Sequence, residues 1–226
     1  MALFFLTLKK EIFSIKSFVI GGLFIVVSVL AGKYTTSVSI FLNSNGSSDL
    51  IDLLFGIYGF LGYIFSSVLF SGLISKEVES QTMRYVTPYL SRKAIYLAKY
   101  FASLCYFLII LAVSLVVLFL FRGAVVFPIY SILSIIAFFA YIQSLVLLIS
   151  TVSKSERFST LINLILSLAF PIVYSIAYFK NWPILKAVQW FMPYIYLTKT
   201  WEVVFLLFLT ISIIFLGISC FKRKEI

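Results

Sequence analysis

The chain has 226 residues, of which 62% are hydrophobic and only 12% charged, against about 25% charged in a soluble domain. This balance marks an integral membrane protein with essentially no soluble domain, and the net charge of +10 suits a multi-span protein with basic loops better than a nucleic-acid binder. The absence of His and the wide separation of the two cysteines, Cys105 and Cys220, exclude imidazole metal sites, Ser-His nucleophile pairs and CxxC chemistry, leaving the cysteines as packing residues.

Residues 3–16 (LFFLTLKKEIFSIK) are predicted to form an interfacial helix. On a helical wheel Phe4, Phe5, Leu8, Ile12 and Ile15 share one face and Thr7, Lys10, Glu11 and Ser14 the other, the pattern of a helix lying along a membrane surface. The charges follow the first apolar residues and no small-residue cleavage site comes after them, so no cleavable signal is expected. The first span is expected at Ser17–Gly32. A polar loop, Lys33–Asp49, leads to a second span at Leu50–Ile74. In that span Gly56, Gly59 and Gly62 recur at i, i+3, i+6 and form a smooth strip. Such a strip suits close helix contact, or else a translocation path.

The polar stretch Ser75–Lys99 (SKEVESQTMRYVTPYLSRKAIYLAK) holds five of the eighteen basic residues and two of the eight acids. Lys76–Thr87 lacks Gly and Pro, and Val78, Thr82 and Tyr85 recur at i, i+4, i+7 with Glu77, Ser80 and Arg84 on another face. One short amphipathic helix is expected there, with Val78, Thr82 and Tyr85 packed back on the spans. Pro88 should end it, and Ser91 should cap a second helix that runs from Arg92 into the membrane.

A third span is expected at Tyr100–Phe121, a tight turn at Arg122-Gly123, and a fourth span at Val125–Val152 containing Gln143. After the short loop Ser153–Arg157 comes a fifth span, Phe158–Phe179, with Asn163 near its start and Pro171 inside it, where a proline kinks a helix. The segment Lys180–Thr200 carries Trp182, Trp190, Tyr194 and Tyr196 with three lysines. It is too polar to span and suits short helices at headgroup level. The sixth span is expected at Trp201–Phe221. Each span is near the roughly 20 residues that cross about 30 Å of hydrocarbon.

Six spans place both ends of the chain on one side. That side collects Lys9, Lys10, Lys16, Lys76, Arg84, Arg92, Lys93, Lys99, Lys154, Arg157, Lys222, Arg223 and Lys224, against Lys33, Arg122, Lys180, Lys186 and Lys199 on the other. The excess puts both ends, and the stretch 75–99, in the cytoplasm of a multi-pass cell-membrane protein. No ionisable residue is expected in the middle of a span, which argues against a proton-coupled carrier. No acid, His or Cys cluster suggests a membrane metalloenzyme. Around Gly32-Lys33, Tyr34 replaces the Ser or Thr of a phosphate loop and Val27 its first Gly, so no nucleotide site is expected.

Glu77-Val78-Glu79-Ser80-Gln81-Thr82-Met83-Arg84, then Pro88, Ser91-Arg92 and Lys99, resemble the first cytoplasmic loop of permease subunits of type 2 ABC exporters. The family pattern there is an acid, a Gly-Thr pair, a hydrophobic residue, then Pro and Ser-Arg before the third span. Gln81 stands where the family usually has Gly. The six-span layout extends the resemblance over the whole chain, residues 1–226, as one all-α transmembrane permease domain. The resemblance implies a coupling helix, with Lys76, Glu77, Glu79, Ser80, Thr82 and Arg84, docking on a separate ABC ATPase in two copies. It also implies a second permease, identical or related, with ATP bound only by the ATPase subunits and no cofactor in this chain. A translocation surface from spans two and five would then include Gly56, Gly59, Gly62 and Pro171. The cargo would be a peptide, lipid-like or hydrophobic molecule. A non-transporting scaffold or immunity protein that binds a partner is the alternative; a lipid-modifying enzyme lacks its acids and His.

Overall fold

The computed structural model describes residues 2–33, 47–122, 129–179, 183–197 and 202–224. The loop expected after Lys33, the turn after Arg122, the start of the expected fourth span and parts of Lys180–Thr200 lie outside the described residues. Among those residues every regular element is helical: α1 (Ala2–Ile12), α2 (Ile15–Lys33), α3 (Ser47–Phe70), α4 (Ser75–Glu79), α5 (Met83–Val86), α6 (Arg92–Arg122), α7 (Ile129–Val152), α8 (Glu156–Phe179), α9 (Pro183–Gln189), a 3-10 turn (Pro193–Leu197) and α10 (Val203–Arg223). Six helices, α2, α3, α6, α7, α8 and α10, are long and apolar enough to cross a membrane. The protein is therefore read as multi-pass.

Helix α7 is the centre of the bundle. It packs against α10, α3, α6, α8 and the 3-10 turn, and 67% of its apolar window is buried, against 17% for α8. Small residues let it sit there: Ala137, Ala140, Ser134 and Ser144 are buried between Phe138, Phe139 and Ile142. The stacked rings of Phe107 and Phe139, 4.7 Å apart, join α6 to α7.

Without water in the bilayer core, polar side chains hold helices together by bonding across the contact. Serines of α3 and the turn after it make such a seam. Ser67 Oγ donates to the Asn163 carbonyl at 3.1 Å, Ser159 Oγ to the Ser71 carbonyl at 2.6 Å, and Gln143 Nε2 to Ser66 Oγ at 3.0 Å. Ser150 Oγ accepts from the backbone N–H groups of Ile74 and Ser75, both at 3.1 Å. The seam fixes the end of α3, and hence the start of α4, to α7 and α8.

Two sequence expectations are corrected. The single helix expected over Lys76–Thr87 is two short turns, α4 and α5, broken where Gln81 takes a φ of 57°. The hydroxyls of Ser80 and Thr82 both turn back on the Glu77 carbonyl, at 3.5 and 3.3 Å, and compete with the helical pattern. The apolar side of the segment consequently consists of Ile74, Val78, Met83 and Val86, while Thr82 and Tyr85 are exposed. Helix α1 stops at Ile12, so Ile15 belongs to α2. Leu8 and Ile12 pack on the core, Phe5 and Ile15 point outward, and Glu11 is half-buried, because α1 lies along α6. As expected, α6 starts at Arg92, capped by Ser91 Oγ, which accepts from the Ala94 N–H at 3.3 Å, and it runs on through the apolar stretch from Tyr100 to Arg122. Lys99 is therefore a charge buried two turns inside that helix.

Candidate functional site at the charged end of the bundle

Helices α4 and α5 project from the end of the bundle where α1 begins and α10 ends. The Ser80–Thr82 break divides the polar side chains of this projection into two sets.

The first set is tied into the bundle. Glu77 Oε1 lies 2.6 Å from Lys99 Nζ, with the lysine side chain 1% exposed and the glutamate 33%. Lys99 also donates to the Leu73 carbonyl at 2.5 Å. A buried ammonium is costly unless paired and hydrogen-bonded; Glu77 and Leu73 supply both. Lys76 Nζ lies 3.5 Å from Glu156 Oε2 at the start of α8. Glu79 Oε2 accepts from the Glu156 backbone N–H at 2.7 Å, which satisfies one of the open donors at that helix start and places a negative charge at its positive end. Helix α4 is thus fastened to α6 by one acid and to α8 by another.

The second set faces outward. Ser80, Gln81, Thr82, Arg84, Tyr85, Pro88 and Tyr89 are exposed, with Tyr85 at 80% and Tyr89 at 86%. Met83, fully buried against Ile95, Tyr96 and Phe221, is the apolar root of this tip.

Nearby basic groups close helix ends. The Arg92 guanidinium donates to the carbonyls of Phe221, Lys222 and Lys224 at 3.3, 2.9 and 2.6 Å. The Lys224 ammonium donates to those of Thr151 and Ser153, both at 2.6 Å. Cations at carbonyl-rich helix ends are favourable, although burial pulls the Lys224 ammonium below its ordinary pKa.

The glycine strip of α3 is uneven. A Cβ on Gly62 would meet the Phe139 ring at 2.5 Å and one on Gly59 would meet Leu197 at 2.9 Å, while Gly56 faces open space. Gly59 and Gly62 are sites of close approach; Gly56 has no such contact among the described residues. Pro171 is half-buried in α8, whose helical path continues through it. These residues lie in the spans, away from the charged end.

Lys99, Glu156 and Glu11 are residues of the candidate site that were not among the expected coupling residues, although Lys99 stood in the family motif. Lys99 had a readable signal: it is the one charge between Lys93 and Arg122, set among Tyr96, Tyr100 and Leu97. Glu156 and Glu11 had none, since only the packing of α8 and α1 brings them to α4.

Comparison with protein-family models, curated proteins and solved structures finds no match to this chain.

Proposed function

We propose that the chain is the membrane permease subunit of an ABC exporter of the type 2 class, moving a peptide, lipid-like or hydrophobic cargo outward with energy from a separate ATPase. The charged end then faces the cytoplasm, in keeping with the thirteen-to-five distribution of basic residues. The observation that carries this reading is the division of the α4–α5 projection into a fastened base and an exposed tip. A permease without a nucleotide site must receive force from outside, which requires a handle that a partner can grip and a rigid joint to the spans. Ser80, Thr82, Arg84, Tyr85 and Tyr89 form the grip. Lys76, Glu77 and Glu79 form the joint to α6 and α8, so displacement of the tip is passed to two spans at once. Two such chains, or this chain and a related one, would meet across the exposed faces of α3 and α8. Gly56, with Ile57 and Phe60, and Leu161, Ile165 and Leu168 are open there.

The test is co-expression with an ABC ATPase encoded beside this chain. Arg84→Glu combined with Tyr85→Ala is expected to leave the permease folded and inserted but to abolish co-purification of the ATPase. Tyr and Arg anchors typically account for ~2 kcal/mol or more each at an interface. Undiminished co-purification would refute the grip; the absence of any associating ATPase would refute the exporter.

A further inference from the structure

A cavity of about 220 Å³ opens at the charged end, between the α1–α2 elbow, the turn after α3, the helix α4 and the start of α8. Its volume equals that of about seven liquid waters. Its floor is Leu69, in the last turn of α3, and Leu73, in the turn that follows; the charged run Ser75–Glu79 comes next, a boundary that suits headgroup depth. Its walls carry both signs of charge. Glu77 and Glu156 are engaged, by Lys99 and by Lys76. Glu11, Lys10 and Lys16 also line it and have no ion-pair partner within 4 Å among the described residues.

Glu11 is the informative member. Its carboxylate is half-buried, and burial raises its pKa above the ordinary value despite the fields of Lys10, Lys99, Lys16 and Lys76. Among the described residues no ion pair or side-chain hydrogen bond engages this carboxylate. Lys10 and Lys16, both exposed at the rim, lack an anion. A guest matching this wall carries a phosphate for the two lysines and an ammonium with N–H groups for Glu11.

We propose that this cavity binds a phosphate ester of a primary amine, the chemistry of the phosphoethanolamine headgroup. The site does not depend on the exporter reading; it requires only that the end of α3 lie at the membrane surface. The ammonium would donate to Glu11, and the phosphate oxygens would accept from Lys10 and Lys16. A quaternary ammonium could not replace it, because it has no N–H to donate. Phosphatidylglycerol could satisfy the lysines but not Glu11.

Native mass spectrometry of the full chain, released from detergent with defined lipids, tests this. One phosphatidylethanolamine should be retained at least about tenfold more tightly than phosphatidylcholine or phosphatidylglycerol, the factor expected for one charge-assisted hydrogen bond. Glu11→Gln should reduce the preference over phosphatidylcholine to near parity. Lys10→Gln with Lys16→Gln should weaken retention of all three lipids. Free phosphoethanolamine serves as a second probe: competition at millimolar concentration identifies a soluble ligand, and retention of the lipid alone identifies the membrane as the source. Equal retention of the three lipids by the unmodified chain would overturn the proposal. So would a phosphatidylethanolamine preference that survives Glu11→Gln.

Discussion

The base of the α4–α5 projection and its tip are neighbours in one polar stretch, yet the chain uses them oppositely. In the base, Lys76, Glu77 and Glu79 each have a partner on α6 or α8. In the tip, Arg84, Tyr85 and Tyr89 are exposed. Charge density alone therefore does not mark a docking surface. Half of the charge holds the segment in place, and substitutions in the base report on folding before they report on a partner.

The sharpest test of that contrast is the buried pair. Glu77→Gln leaves the Lys99 ammonium without its counter-ion, and loss of one partner from a buried pair costs about 3–5 kcal/mol. The lower end is expected, because Glu77 is one-third exposed. Denaturant unfolding in detergent should show the loss, and adding Lys99→Met should recover most of it. A change below about 0.5 kcal/mol would mean that the base is not fastened through α6.

A smaller effect is expected at the other fastening. Glu79→Ala removes the acceptor at the start of α8 and should cost about 1 kcal/mol, as for a lost helix cap. Faster amide hydrogen exchange at Glu156 should accompany it, while exchange in the middle of α6 stays unchanged.

Glu11 faces the base across the cavity and should behave in the reverse sense to a paired acid. Its folded pKa is raised above the ordinary 4.5, so the folded state holds the proton to higher pH than the unfolded chain. The stability cost is absent below pH 4.5, grows as pH rises through the folded pKa, and is complete above it. In detergent free of aminophospholipid, Glu11→Gln should therefore melt higher than the unmodified chain at pH 7, and the advantage should vanish below pH 4.5. A constant difference across that range would show that the carboxyl is not desolvated. At the tip, Arg84→Glu with Tyr85→Ala should change stability by less than the base substitutions, within roughly 0.5 kcal/mol per site as for exposed positions.

Much of the architecture was legible because lipid leaves a chain few options. A run of about 20 apolar residues must be helical to satisfy its backbone there, and the six expected spans correspond to six long helices whose bounds shift by a few residues. The Ser91 cap was legible from residue type, as was a glycine strip suited to close contact. The partners of those features depended on the assembled bundle. The same glycine spacing gives contact at Gly59 and Gly62 and open space at Gly56, because Phe139 and Leu197 reach only the first two. The helix expected over Lys76–Thr87 satisfied every local rule for apolar period. It breaks because the Ser80 and Thr82 hydroxyls capture the Glu77 carbonyl while Met83, not Thr82, is drawn into the core. The sequence by itself determined how many helices are long and apolar enough to cross and where the charge collects, since both follow from local composition. Which acid meets which base was decided by tertiary packing: Lys99, Glu156 and Glu11 come from three helices, and no spacing along the chain places them around α4.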